Sequence, residues 1–212
     1  MKILEVKDLA IPDVKVVKFA RFADSRGFFT EPFRRSDFDN PPEMKFLCGV
    51  PFLQVNESYS KPGVMRGLHF QWNPFMGKLL RTLTGRMYDM FCDIRKGSPT
   101  YGKIAIYDMP VDMERDYSEW IWVPPGFAHG NFFNEDSIIE YFCSGEYSPG
   151  CEASISPLSE DLDWSLCDKN IKSVFDEIIS KDLKITDKDK FGYSLKAWTE
   201  DERSNNFIYG SC

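Results

Sequence analysis

The sequence predicts a mostly β protein, a sandwich or a barrel, with an amphipathic helix and tail at its C-terminal end. Three observations predict it. Turn-forming residues recur through the middle of the chain, at Pro62-Gly63, Asn73-Pro74, Thr84-Gly85, the 96–102 stretch, Pro124-Pro125-Gly126 and Ser148-Pro149-Gly150. The runs between them are short and rich in β-branched and aromatic residues, at spacings of about 8–12 residues that suit an all-β fold better than βαβ units. Beyond residue 168 the apolar period lengthens from about two to about 3.6.

In chain order, residues 52–56 and 64–70 read as strands on either side of Pro62-Gly63. Residues 78–83 and 87–94 flank Thr84-Gly85, which reads as a tight hairpin. Residues 103–107, 120–123 and 138–141 are further strands. In the second of these, Trp120 and Trp122 should face one side and Ile121 and Val123 the other. Ile171, Val174, Phe175, Ile178 and Ile179 recur as the stripe of an amphipathic helix, with Asp168 or Asn170 available to cap it. Residues 183–212 are polar with weak periodicity, and read as a tail packed on the barrel or partly ordered.

The length, 212 residues, suits a single domain over 1–212 with a sizeable core. The formal net charge is -7, and no Lys/Arg run appears, so a general nucleic-acid binder is not expected. No apolar run approaches the roughly 18 residues of a membrane span. The start, MKILEVKDLA, carries acids and no apolar signal segment, which suggests a cytoplasmic protein. Six cysteines at 48, 92, 143, 151, 167 and 212 form no C-x-x-C pair, and read as free thiols in a reducing compartment.

The only two histidines, His69 and His129, each follow a small-residue turn entering a strand. Either alone reads first as a hydrogen-bonded structural histidine. Two histidines cannot build a three-histidine metal site, although two with one carboxylate remain arithmetically possible. Gln71, not a second histidine, stands two residues beyond His69 on the same strand face. Arg26, Arg66, Lys78 and Arg81 lie near these motifs and could hold a diphosphate, or could be solvated strand-end charges. No phosphate-binding glycine loop, dinucleotide fingerprint or nucleophile elbow is present.

Together the motifs resemble the dTDP-4-dehydrorhamnose 3,5-epimerase family of sugar-nucleotide epimerases. The pieces are Asp24-Ser25-Arg26-Gly27-Phe28-Phe29 with Glu31, Gln54-Val55-Asn56 with Ser58, Arg66-Gly67-Leu68-His69-Phe70-Gln71, and Gly77-Lys78-Leu79. Asp89, Asp93-Ile94-Arg95, the Gly97–Gly102 segment, Pro125-Gly126-Phe127-Ala128-His129-Gly130, and Tyr147-Ser148-Pro149 with Glu152 complete the set. The match runs from about residue 19 to 155. The resemblance implies a cupin-type β-barrel (jelly roll) over that range, and the apolar periodicity adds a helical C-terminal extension over about 168–212. The resemblance also implies a homodimer in which N-terminal segments cross between subunits.

The resemblance implies epimerisation at carbon 3, carbon 5 or both of a nucleotide-linked 4-keto-6-deoxy sugar, with no cofactor and no metal. His69 would be the base, as a free imidazole titrates near about pH 6.5. Lys78 would stabilise the enolate, and Tyr141 would donate the proton. Asp182, in Ile179-Ser180-Lys181-Asp182, is the nearest match to the family's late Leu-Ser-x-Lys-Asp motif and would orient His69. Asp89 would support His129. Arg26, Glu31, Gln54, Asn56, Arg66, His129, Glu152 and Lys181 match substrate contacts, and Tyr147 the aromatic that stacks on the nucleotide base. Four departures are Glu57 after Gln54-Val55-Asn56, Asn131 after Gly130 where phenylalanine is usual, a His69–Lys78 interval one residue short, and a helix over 171–179 with a tail after 183 that have no clear counterpart. A monoepimerase or keto-sugar isomerase, a metal-dependent cupin enzyme and a silent nucleotide-sugar binding module are the alternatives.

Overall fold

The computed structural model describes residues 1–40 and 42–211. Strands β1 (Ile3–Asp8) and β2 (Lys15–Ala20) pair antiparallel, and a small two-stranded arm follows, β3 (Phe22–Asp24) with β4 (Gly27–Phe29). A short helix α1 (Arg35–Asp39) and a 3-10 turn (Pro42–Leu47) lead into β5 (Gln54–Ser60) and β6 (Met65–Gln71). Then come β7 (Lys78–Thr84), β8 (Arg86–Asp93), β9 (Ile104–Pro110) and β10 (Tyr117–Val123). Strands β11 (Phe127–Phe132), β12 (Ser137–Cys143) and β13 (Glu152–Ser154) end the β region. Helices α2 (Lys169–Lys181), α3 (Asp187–Lys190) and α4 (Leu195–Glu200) follow.

Two antiparallel sheets form a jelly-roll-type fold. The six-stranded sheet runs β1-β2-β10-β7-β12-β5, and the five-stranded sheet β13-β6-β11-β8-β9. Between them lies a core that includes Leu80, Ile121, Val123 and Ile139 from the first sheet and Met87, Phe91, Met109 and Phe127 from the second. The outer face of the larger sheet is covered too: Trp120 and Trp122 pack with Phe38 of α1 and with Met44 and Leu47. The outer face of the smaller sheet, with Tyr88, Met90, Cys92, Ile104 and Phe132, is covered by Phe175 and Ile178 of α2 and by Leu195, Trp198 and Phe207. Both faces of the central strands are therefore dry, which explains their near-continuous apolar runs. Trp120 and Trp122 do take the opposite face from Ile121 and Val123.

Three points differ from, or resolve, the sequence expectations. The sheet starts at Ile3, well before residue 19, because β2 pairs with β10 along six register positions. Thr84-Gly85 is not a hairpin: β7 belongs to the larger sheet and β8 to the smaller, so Gly85 (φ +75°) is the corner at which the chain changes sheets. Alternating apolar runs around a glycine look the same in both cases. The tail beyond 183 is packed, not loose, with Trp198 fully buried against Phe70. Asp168 caps α2 as expected, its Oδ1 accepting from the N–H of Asn170 at 2.8 Å and of Ile171 at 3.2 Å. Cys48, Cys92, Cys143, Cys151 and Cys167 are free thiols, while Cys212 lies outside the described residues.

Candidate active site

Strands β6 and β11 lie side by side with His69 directly opposite His129, so the two imidazoles share a face. The register slips between His129 and Asn131, where three steps on β6 match two on β11. This bulge needs two glycines packed back to back. A Cβ on Gly67 (φ +109°) would lie 2.6 Å from the Gly130 Cα and 2.7 Å from the His129 carbonyl oxygen. The bulge frees the Gly67 N–H from the ladder and turns it outward.

The C-terminal segment takes up that N–H. Residues 184–193 are sewn along β6 and β13: Met65 N–H donates to the Lys184 carbonyl at 3.0 Å, and Tyr193 N–H to the Ser154 carbonyl at 2.9 Å. Between these anchors Thr186 caps α3, its hydroxyl accepting from the Asp189 N–H at 3.3 Å. Asp189 is thereby held over the bulge, with Oδ2 accepting from Gly67 N–H at 3.1 Å and Oδ1 2.7 Å from His69 Nε2. Burial works to raise the Asp189 carboxyl, but the hydrogen bond and charge of His69, with the Gly67 and Thr186 donors, hold it below the usual carboxylate range. An ionised Asp189 accepts a proton bond from Nε2, which leaves Nδ1 as the proton-accepting nitrogen of His69.

The carboxylate against His69 is thus Asp189, and Asp182 is corrected. Asp182 ends α2 with its side chain 70% exposed, paired with Lys184. Lys181 is likewise outside the site, on the solvent face of α2 beside Glu177. The residues that take these two places are Lys188 and Asp189, in Ile185-Thr186-Asp187-Lys188-Asp189. The signal was present: isoleucine for leucine and threonine for serine keep the chemistry of Leu-Ser-x-Lys-Asp. Ile179-Ser180-Lys181-Asp182 has the identical serine but is one residue short between it and the lysine, whereas residues 185–189 keep the full spacing.

His69, Lys78 and Tyr141 line one cavity with two lobes. One lobe, of about 640 Å³, is walled by Arg66, His129, Asn131, Lys188 and Asp189. The other, of about 430 Å³, is walled by Gln54, Asn56, Gln71, Tyr147 and Glu152. Such volumes suit a small organic ligand. Lys78 starts β7 and Tyr141 sits on β12, its Cα partnered by Leu80 and Asn56. Burial lowers the Lys78 ammonium below the ordinary lysine range. Burial raises the Tyr141 phenol, which therefore stays protonated and able to donate.

A second His–carboxylate pair backs the cavity. Asp89, fully buried on β8, places Oδ1 2.7 Å from His129 Nε2. Burial lowers the His129 pKa more than Asp89 raises it, so the ring is neutral near pH 7 and donates from Nε2. At the mouth of the other lobe, Glu152 Oε1 accepts from the Tyr147 hydroxyl at 2.9 Å and from Lys188 at 2.8 Å. Gln54 fixes the Tyr147 loop, accepting from its N–H at 2.9 Å, and donates to Asn56 at 3.0 Å.

Arg26 and Glu31 are not brought to this cavity. Arg26 is exposed at the tip of the β3–β4 arm, 2.6 Å from Asp24. Glu31 pairs with Arg34 and the terminal amine. Among the described residues no three His, Cys, Asp or Glu side chains form a group that could hold a metal ion. No helix among them is long and apolar enough to cross a membrane.

Known proteins resemble this chain in sequence and in fold. The family profile described as dTDP-4-dehydrorhamnose 3,5-epimerase matches residues 8–197. The dTDP-4-dehydrorhamnose 3,5-epimerase of Shigella flexneri is 37% identical over 170 residues, covering 76% of this chain and 90% of that protein. The enzyme of that name from Neisseria gonorrhoeae is 39% identical over 150 residues, 70% of this chain, and the chain spans 43% of that longer relative. Among solved structures, the dTDP-6-deoxy-D-glucose-3,5-epimerase of Legionella pneumophila, in complex with dTDP-4-keto-L-rhamnose, superposes with a TM-score of 0.77 at 28% identity. That match covers 96% of this chain and 97% of the Legionella chain.

Proposed function

The chain belongs to the dTDP-4-dehydrorhamnose 3,5-epimerase family, and from that premise we propose that it inverts carbons 3 and 5 of a dTDP-linked 4-keto-6-deoxy sugar by proton removal and return. The observation that carries the reading is one imidazole, His69, backed by Asp189 and opening on the same cavity as Lys78 and Tyr141. The hydrogens on carbons 3 and 5 are acidic because each carbon neighbours the carbon-4 carbonyl. His69 Nδ1 takes the proton, and Asp189 stabilises the imidazolium that forms. Negative charge moves to the carbonyl oxygen as the enolate develops. Lys78 supports it there, and its poor solvation strengthens the attraction. The Tyr141 phenol returns a proton to the carbon, which inverts the centre when it acts from the opposite face.

The nucleotide lies in the lobe of Tyr147, whose ring is 54% exposed and free to stack on a base. Arg66 carries a guanidinium suited to the diphosphate. The site is completed by a second copy: Arg26 sits on an arm whose Phe22, Phe28 and Phe29 are exposed, and such a patch suits a subunit interface. Sedimentation of the wild type should report a dimer, and deletion of residues 22–29 a monomer.

The test is exchange with solvent. In deuterium oxide, dTDP-4-keto-6-deoxyglucose should gain label at carbons 3 and 5, and label at one carbon alone would indicate a monoepimerase. His69→Ala should slow exchange by at least about 10²-fold, the loss of a general base. Undiminished exchange in that variant would remove His69 from the role.

A further inference from the structure

Beyond His69, Lys78 and Tyr141 the cavity continues away from Tyr147 into the larger lobe. Asn131 stands in its wall. It follows His129 by two positions on β11, so both side chains point the same way, and it lies directly opposite Asp89 of β8. Asn131 is 6% exposed, and its Oδ1 is buried with no hydrogen-bond partner among the described residues. An unmet buried acceptor of this kind is left desolvated with nothing in return. The neighbouring Asp89 Oδ2 is also unpartnered, since only Oδ1 is taken by His129. Two acceptors in this strip of the wall are therefore unmet. The same lobe accepts Val64, Leu80 and Ile139, so an apolar side chain at 131 would fit the wall's chemistry. A polar one is explained if the ligand supplies what the protein lacks.

We infer that the Asn131 amide hydrogen-bonds a hydroxyl of the bound sugar and makes Asn131 a specificity-determining residue. This rests on the proposed function for the direction of the ligand, with the nucleotide toward Tyr147 and the sugar toward Asn131. A hydroxyl fits because it both donates and accepts, and so satisfies the amide whichever way its two ends are turned. A wall built to bond a hydroxyl rejects an analogue without it, because the amide is then buried unpaired.

The experiment measures affinity, which does not depend on turnover. Calorimetry would compare dTDP-6-deoxyglucose with its 2- and 3-deoxy analogues, the two positions at which the keto sugar carries a hydroxyl, on the wild type, Asn131→Leu and Asn131→Phe. The wild type should lose about tenfold in affinity on removal of one particular hydroxyl. Both variants should bind dTDP itself as the wild type does, and that one deoxy step should shrink to under about threefold in them. Equal deoxy steps in all three proteins, with dTDP still bound, would overturn the role of Asn131 alone. Failure of the wild type to bind dTDP would overturn the reading beneath it.

Discussion

Replacing Asp189 by asparagine removes half of what the carboxylate does, and the geometry sets how much. Asp189 accepts from two donors at once, His69 Nε2 at 2.7 Å and Gly67 N–H at 3.1 Å. An asparagine has one acceptor oxygen. If that oxygen keeps Gly67, the amide nitrogen faces His69 and donates to Nε2. The ring proton then moves to Nδ1, and the nitrogen needed as base is occupied. If the oxygen keeps His69 instead, the amide N–H meets the Gly67 N–H, donor against donor. Loss of a correctly poised base is worth about 10²–10⁴ in rate, so exchange of label into dTDP-4-keto-6-deoxyglucose should fall by about 10³-fold, or about 4 kcal/mol of barrier. Urea unfolding should register about 1.5–3 kcal/mol for the lost charge-assisted hydrogen bond. Asp182→Asn is the control: that side chain is 70% exposed and paired with Lys184, so exchange should stay within about twofold. The reasoning fails if Asp189→Asn exchanges within about threefold of the wild type, or if Asp182→Asn is equally impaired.

Two further outcomes follow from the same geometry. Burial lowers the Lys78 pKa, so the ammonium is lost as pH rises through a value below the ordinary lysine's, about 10.4, while burial raises the Tyr141 phenol. The pH–rate profile should therefore lose activity on its alkaline side through Lys78, and Lys78→Arg, whose guanidinium stays charged, should move that limb to higher pH whatever its residual rate. Gly67→Ala should destabilise the fold by at least about 2 kcal/mol in urea, because the new Cβ meets the Gly130 Cα and the backbone is left-handed. Gly97→Ala, at φ +83° with nothing within 4 Å of its Cβ, should cost only about 1–2 kcal/mol.

The strands of the two sheets were legible because turn residues punctuate them and their side chains are β-branched or aromatic. The alternation of Trp120 and Trp122 with Ile121 and Val123 was legible for the same reason: a strand has two faces, whatever covers them. Which sheet a strand joins was not legible. Gly85 supplies the same left-handed turn to a hairpin or to a corner, and only long-range pairing decides between them. The cavity trio of His69, Lys78 and Tyr141 came from the resemblance, and the fold brings them together. Asp189 was legible only through the spacing of Ile185-Thr186-Asp187-Lys188-Asp189, since a four-residue helix carries no periodic signal of its own. Its place over the bulge is set by the Thr186 cap and by backbone pairing with β6 and β13, and that long-range pairing is visible only in the fold. Arg26 and Glu31 are legible as motif residues, yet one chain alone does not carry them to the cavity.

The partner of His69 arrives 120 positions later in the chain. During synthesis the jelly roll's strands can emerge and pair while the imidazole still has no carboxylate to hold its tautomer. Only when residue 189 clears the ribosome and the segment around it docks along β6 does the base become competent. A chain stopped short of that point would lack the Lys188 and Asp189 wall of the larger lobe as well as the carboxylate against His69.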